Sequence, residues 1–361
     1  MLVALVGENH DNVAMLYSNI SKTYQEMDDF ENALLYGDKA LSIRETLFGE
    51  IHPDVAASYM NKGVLYRQFG DYENAVFYID KALSVYTHIF GSKHNLIASC
   101  YNNLGAVYKD KGQLDEALAY FQKAHSLRIE LFGEQSNLLS PTYLNIGNIY
   151  VAKGDNDNAL SYYENARILS EKTLGANHSQ TAVIYNNIAI VYQNKKDYDG
   201  AVRYYRKALN SYIAIYGSEH TSVAMAYGNL GTTYHENGNN DMALLYIEKA
   251  KNIDEKLLGE NHPETANSYV NLALIYASKK DYDNAFAYNE KALAIYENSF
   301  GAEHRNVALI CFNMGLLHYA RKNFIMADEY WNKCINVSKN ISDYVETVNR
   351  MKKIIEITKD E

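Results

Sequence analysis

The stretch Tyr101–Ser126, YNNLGAVYKDKGQLDEALAYFQKAHS, decides how the chain is read. Its aromatic and small residues fall at Tyr101, Leu104-Gly105 and Tyr108, then again at Ala117, Phe121 and Ala124. Both runs have the three-and-four spacing that puts side chains on one face of a helix. The equivalent break one unit earlier, Phe69-Gly70-Asp71-Tyr72, supplies a left-handed residue to close the first helix and an acceptor to open the second. Neither helix can bury its apolar stripe alone, so neighbours must stack.

Outward from this stretch the pattern returns every 42 residues. Gly7, Gly49, Gly91, Gly133, Gly175, Gly217, Gly259 and Gly301 form one unbroken column, and Ala33, Ala75, Ala117, Ala159, Ala201, Ala243, Ala285 and Ala327 form another. A third is Tyr36, Tyr78, Tyr120, Tyr162, Tyr204, Tyr246, Tyr288 and Tyr330. The fourth is Asn19, Asn61, Asn103, Asn145, Asn187, Asn229, Asn271 and Asn313. The expectation is an all-α protein: an α-solenoid of eight helix-turn-helix repeats over residues 11–340, built without insertions. Residues 1–10 read as the tail of an incomplete preceding repeat and its joint, and residues 341–361 as a C-terminal capping helix with a polar back. That reading implies a piece of a longer protein, with end-to-end self-association through the incomplete repeat as a consequence of its uncovered stripe.

Composition narrows the function classes. With 361 residues, 47% hydrophobic and 22% charged, the chain is globular, and no apolar run reaches the length of a membrane span. A net charge of -10 speaks against nucleic acid as a partner. Cys100, Cys311 and Cys334 have neither disulfide-framework nor metal-ligand spacing, which suits a reducing, cytoplasmic setting.

The motif of Tyr101–Ser126, met by Tyr101, Leu104-Gly105, Tyr108, Ala117, Phe121 and Ala124, resembles the tetratricopeptide repeat. That family's usual period is about 34 residues. The longer unit, with its Gly-x-x-His joint seen in GEIHPDVA, GSEHTSVA and GENHPETA, is similar to the repeats of kinesin light chains. The resemblance implies a right-handed superhelix whose first helices line a concave groove, and a partner that is a protein or peptide. It implies no cofactor. The carboxylate clamp of chaperone-binding members is not met: the places flanking the asparagines hold Ser18 and Lys22, Met60 and Val64, or Leu144 and Asn148.

Candidate chemistry resolves into columns. The histidines His10, His52, His94, His178, His220, His262 and His304 occur one per repeat, so they cannot converge on one metal ion. Pro53 and Pro263 directly after His mark a helix start, where the ring caps backbone N–H groups or packs in the joint. The tyrosines are in phase with small residues and are expected to fill core. The asparagine ladder has two readings. Its amides can pair with the backbone of an extended ligand in the groove, or they can tie adjacent repeats together. Beside it the groove face carries Lys22, Arg67 and Lys109, then the polar Asn148, Gln193 and His235. No acid, base, nucleophile or metal set assembles, so the expected function is non-catalytic binding of a peptide or helical segment. The alternative is the sensor or regulatory arm of a larger enzyme or signalling protein.

Overall fold

The computed structural model describes residue 7 and residues 9–337. Among them are sixteen α-helices, one 3-10 turn and no strand, an all-α solenoid of paired helices. Residues up to Thr173 form one compact unit and residues from Leu174 a second. The first unit holds α1 (Asp11–Glu26), α2 (Phe30–Phe48), α3 (Pro53–Gln68), α4 (Tyr72–Phe90), α5 (Asn95–Asp110), α6 (Leu114–Phe132), α7 (Ser140–Ala152) and α8 (Asn156–Thr173). The second holds α9 (Ser179–Asn194), α10 (Tyr198–Tyr216), α11 (Thr221–Glu236), α12 (Asn240–Leu258), α13 (Pro263–Ser278), α14 (Tyr282–Phe300), α15 (Arg305–Ala320) and α16 (Phe324–Val337). Within each unit an odd-numbered helix pairs with the even-numbered helix that follows it, then with the next hairpin. The helix tail read over residues 1–6, the self-association built on it and the cap read over residues 341–361 lie outside the described residues.

The histidine column is a set of N-caps. His94 Nδ1 accepts from the Leu96 amide at 3.2 Å, and His10, His52, His178, His220, His262 and His304 do the same two residues on. Each ring thereby satisfies one of the orphan amides of a first turn. Several also lie flat on the last aromatic of the preceding helix: His94 on Phe90 with centroids 4.2 Å apart, His220 on Tyr216 at 4.2 Å, His304 on Phe300 at 4.4 Å. Where Ser136 replaces histidine, the entry changes, and a 3-10 turn at Asn137–Leu139 precedes α7.

The glycine column closes the second helices. Gly91 stands at φ 72°, ψ −174° and Gly217 at φ 81°, ψ 175°, an extended positive-φ region that essentially only glycine occupies. The turn inside each hairpin is less demanding. Gly70, Gly112, Gly154 and Gly238 share that place with Asp28, Lys196, Lys280 and Lys322, whose φ values run from 55° to 61°. Side chains reach that left-handed region at a modest cost, so this column varies while the other does not.

Core packing follows from the small columns. All eight alanines of the Ala33 series are fully buried. A Cβ added at Gly63, Gly105, Gly147, Gly231 or Gly315 would come within 2.8 Å of Ile79, Phe121, Tyr163, Ile247 or Trp331, so the paired helices meet closely at these points. The Tyr36 series sits outside this contact, half-buried instead of forming the core the spacing suggested. Its rings stack on tyrosines of the first helix, Tyr66 on Tyr78 at 5.5 Å and Tyr108 on Tyr120 at 5.3 Å. Lysines such as Lys123 and Lys207 cover them, about 5 Å above Tyr120 and Tyr204, which leaves no free stacking platform there.

Candidate functional site

A cavity of about 430 Å³ opens between α1, α2 and α3 of the first unit. Its origin is one substitution within a column. Ile79, Phe121, Tyr163, Tyr205, Ile247, Asn289 and Trp331 occupy the place on the second helix that presses against the first helix, and in the first repeat that place is Gly37. Its partner position is Ser21 instead of the glycine or alanine of the other repeats, with Oγ donating to the Ala33 carbonyl at 2.6 Å. A large side chain is missing and a small one does not replace its volume.

The rim and floor differ in character. Asn19 and Asn61, the first two rungs of the ladder, stand exposed at the rim with Lys22 and Gln25, while Leu34 and Leu65 contribute apolar surface. Behind the rim lies Arg44, its side chain 11% exposed. Its Nη1 donates to Ser58 Oγ at 2.7 Å and to Ser18 Oγ at 3.4 Å, and its Nε lies 3.5 Å from Asp11. Ser18 and Ser58 also line the cavity, so a nearly buried guanidinium polarises two of its hydroxyls. Lys62 is held by Asp38; Lys22 has no carboxylate within ion-pair distance among the described residues. The recess therefore sets apolar surface from Leu34, Val64 and Leu65 beside serine hydroxyls, and is amide-rimmed and positively biased.

The other ladder residues do not converge there. Asn145 Nδ2 donates to Asn102 Oδ1 at 2.8 Å, and Asn229 Nδ2 to Asn186 Oδ1 at 2.9 Å, each linking the first helices of adjacent repeats. Asn103 turns back to the Ser99 carbonyl of its own helix at 2.9 Å. Asn187 is half-buried. Asn271 lines a separate cavity with Asn229 in the second unit. Asn313 is 8% exposed with its Nδ2 unpartnered. The ladder is thus not uniform: Asn19 and Asn61 are open rungs, Asn145 and Asn229 are inter-repeat ties, and Asn103 bonds its own helix.

Neighbouring candidates are also engaged. Arg67 and Lys109 both lie 3.5 Å from Asp110. Asn148 accepts from the Tyr163 hydroxyl at 2.5 Å. Gln193 donates to Glu236 at 2.8 Å and accepts from the Tyr205 hydroxyl at 3.0 Å, and His235 Nδ1 lies 2.9 Å from Asn240 Oδ1. Of the groove residues read from the sequence, Asn19, Asn61, Lys22 and the neighbouring Gln25 meet in the first cavity. Gly37, Arg44 and Ser58 were missed. The signal for Gly37 is a break in a periodic column, glycine among larger residues, whereas Arg44 and Ser58 stand in columns of mixed composition that carry no such signal.

Burial pushes the Cys100 thiol up to about 12 and the Cys311 thiol up to about 11, which disfavours the reactive thiolate at both. Among the described residues no group of three His, Cys, Asp or Glu side chains is placed to hold a metal ion, and no helix is long and apolar enough to cross a membrane.

Family models for the tetratricopeptide repeat match residues 13–54, 54–130 and, in overlapping pairs, 138–340. The chain belongs to the tetratricopeptide repeat family. No curated protein matches it. Among solved structures, this tetratricopeptide array is similar to BtubC (BKLC) from P. vanneervenii, with 23% identity and a TM-score of 0.57 over 64% of this chain and 92% of that one. It is also similar to the apo form of the quorum sensor NprR from B. thuringiensis, with 16% identity and a TM-score of 0.67 over 91% and 88% of the two chains. A putative kinesin light chain from Podosopora anserina, with nearly identical repeats, gives 20% identity and a TM-score of 0.51 over 57% and 98%. At these identities the likeness is one of fold.

Proposed function

We propose that this array is a non-catalytic receptor for a segment of a partner protein or peptide, bound along the face of its first helices. The observation that carries the reading is the cavity left by Gly37. It is open, lies within the size range of ligand sites, and is rimmed by two ladder amides that both donate and accept. An apolar side chain of the ligand enters the recess, Asn19 and Asn61 pair with its backbone, and Lys22 favours a neighbouring acidic group. One buried anchor with satisfied backbone pairing is how short segments gain affinity from few contacts. Three buried free thiols fit a reducing, cytoplasmic setting. A receptor of this kind also serves as the sensor arm of a larger protein, and the similar fold of the quorum sensor NprR agrees with that second reading.

The test is a selection of displayed peptides on the intact chain and on Gly37→Ile, which restores the residue found in the second and sixth repeats. A Cβ at Gly37 itself meets only Ser21 Oγ, at 3.4 Å, but the rest of the isoleucine faces Ser21 where the second and sixth repeats have Gly63 and Gly231, so Gly37→Ile is made together with Ser21→Gly to restore the whole pair. Peptides retained by the parent and lost on this double variant support the reading. Equal retention on both, or none on the parent, overturns it.

A further inference from the structure

A second cavity, also of about 430 Å³, lies between α11, α12 and α13. It has its own cause. Met60, Asn102, Leu144, Asn186, Val270 and Phe312 occupy a column on the first helices that in the sixth repeat is Gly228, and Gly228 lines the opening. At its base is Asp254, 9% exposed, where the same place on other second helices holds Arg44, Tyr86, Arg128, Ser170, Tyr212 and Tyr296.

The comparison with Arg44 is informative because the surroundings correspond residue by residue. Arg44 bonds Ser58, and Asp254 accepts from Ser268 Oγ at 3.2 Å, the equivalent serine. Arg44 has a counter-ion in Asp11, 3.5 Å away. The residue in the place of Asp11 beside Asp254 is Thr221, which carries no charge. No lysine, arginine or histidine lies within ion-pair distance of Asp254 among the described residues. A carboxylate taken out of water without a cation is costly, and the open cavity beside it is where a cation can come from.

We propose that this cavity is a subsite for an organic cation, the ammonium or guanidinium of a basic side chain on the bound segment, with Asp254 as its counter-ion. The inference rests on the peptide-receptor reading above and specifies part of its ligand. Asn271 at the rim holds the adjoining backbone, Asn229, its Nδ2 already given to Asn186, offers only its Oδ1 as acceptor, and Met225 packs against the alkyl stem of the basic residue. Burial raises the Asp254 carboxyl to about 6; the Ser268 bond opposes that rise, as does His262 in the joint, while Glu264 on α13 and Glu255 on α12 add to it. The side chains with which α11 lines the cavity are not ionisable. A bound cation therefore meets an ionised partner near neutrality and a largely protonated one about a unit lower than that value, so affinity falls as the medium is acidified.

The experiment is a selection from a random linear dodecapeptide library on the intact chain, repeated on Asp254→Asn and on Asp254→Arg. The last places in the sixth repeat a residue that the first and third already accommodate. The expected result is a motif with Lys or Arg at one fixed position. Its peptides should lose about tenfold in affinity on Asp254→Asn, and on the parent about tenfold between pH 7 and pH 5. Asp254→Arg should select an acidic residue at that position. A motif without a basic position, or one unchanged on Asp254→Asn yet lost on the Gly37→Ile, Ser21→Gly double variant, overturns the cation subsite and leaves the receptor reading standing. No enrichment on the parent overturns both.

Discussion

At the scale of single residues, the histidines show how one side chain closes two interfaces. His94 caps α5 through Nδ1 and covers Phe90 with its ring face. His94→Ala removes both, and the expected loss is about 1 kcal/mol from the cap alone. Urea unfolding should show a smaller loss for His94→Asn, which keeps an acceptor but not the stack. Asp254 makes an opposite prediction. Its folded pKa of about 6 lies above the ordinary 3.8, so its neutral form is the one the fold prefers. That stability is fully present below about pH 4 and is lost as pH rises through about pH 6. Asp254→Asn should consequently raise the melting temperature at neutral pH and leave it nearly unchanged near pH 4. A variant less stable than the parent at pH 7 would show that the carboxylate is compensated in the folded chain.

At the scale of elements, the two positive-φ columns respond differently to substitution. Lys196→Gly and Lys280→Gly, at φ 59° and 61°, should each be neutral to stabilising, by up to about 1 kcal/mol. Gly91→Ala and Gly217→Ala should each cost about 1–3 kcal/mol, because the required ψ excludes a Cβ. Thermal unfolding of the four variants separates the classes. Helix positions were legible in the sequence for the same local reasons: prolines at entries, glycines at exits, and asparagine or aspartate at the hairpin turns. The function of the ladder was not. Asn145 and Asn229 are rungs by period, but their bonding depends on Asn102 and Asn186, 43 residues earlier, where the other repeats carry serine, methionine, leucine, glycine, valine or phenylalanine. Periodic residues reported the scaffold, and aperiodic ones decided whether a rung is open or tied.

At the scale of the molecule, an array held by neighbour-to-neighbour contacts should confine damage. Ala243 is fully buried between α11 and α12. Ala243→Leu overpacks that pair by about 1–3 kcal/mol. Hydrogen exchange should speed up in α11 to α14 and stay unchanged in α3 and α4; acceleration throughout would mean the array unfolds as one cooperative body. The division at Thr173 and Leu174 was not legible, since no insertion, proline or charge run interrupts the 42-residue period there. The cavities were hidden for another reason: each is made by what a side chain lacks, and a search for chemically active residues passes over glycine.

The recess left by Gly37 owes its existence to one residue in a frame that recurs seven more times. Ile79→Gly or Ile247→Gly would open an equivalent space one or five repeats further along, beside the rungs that follow. In genetic terms, a recognition pocket can change address by a few nucleotide substitutions, with no loop remodelled and no helix moved. A duplicated array of this kind can diversify its ligand vocabulary while its hairpins remain interchangeable.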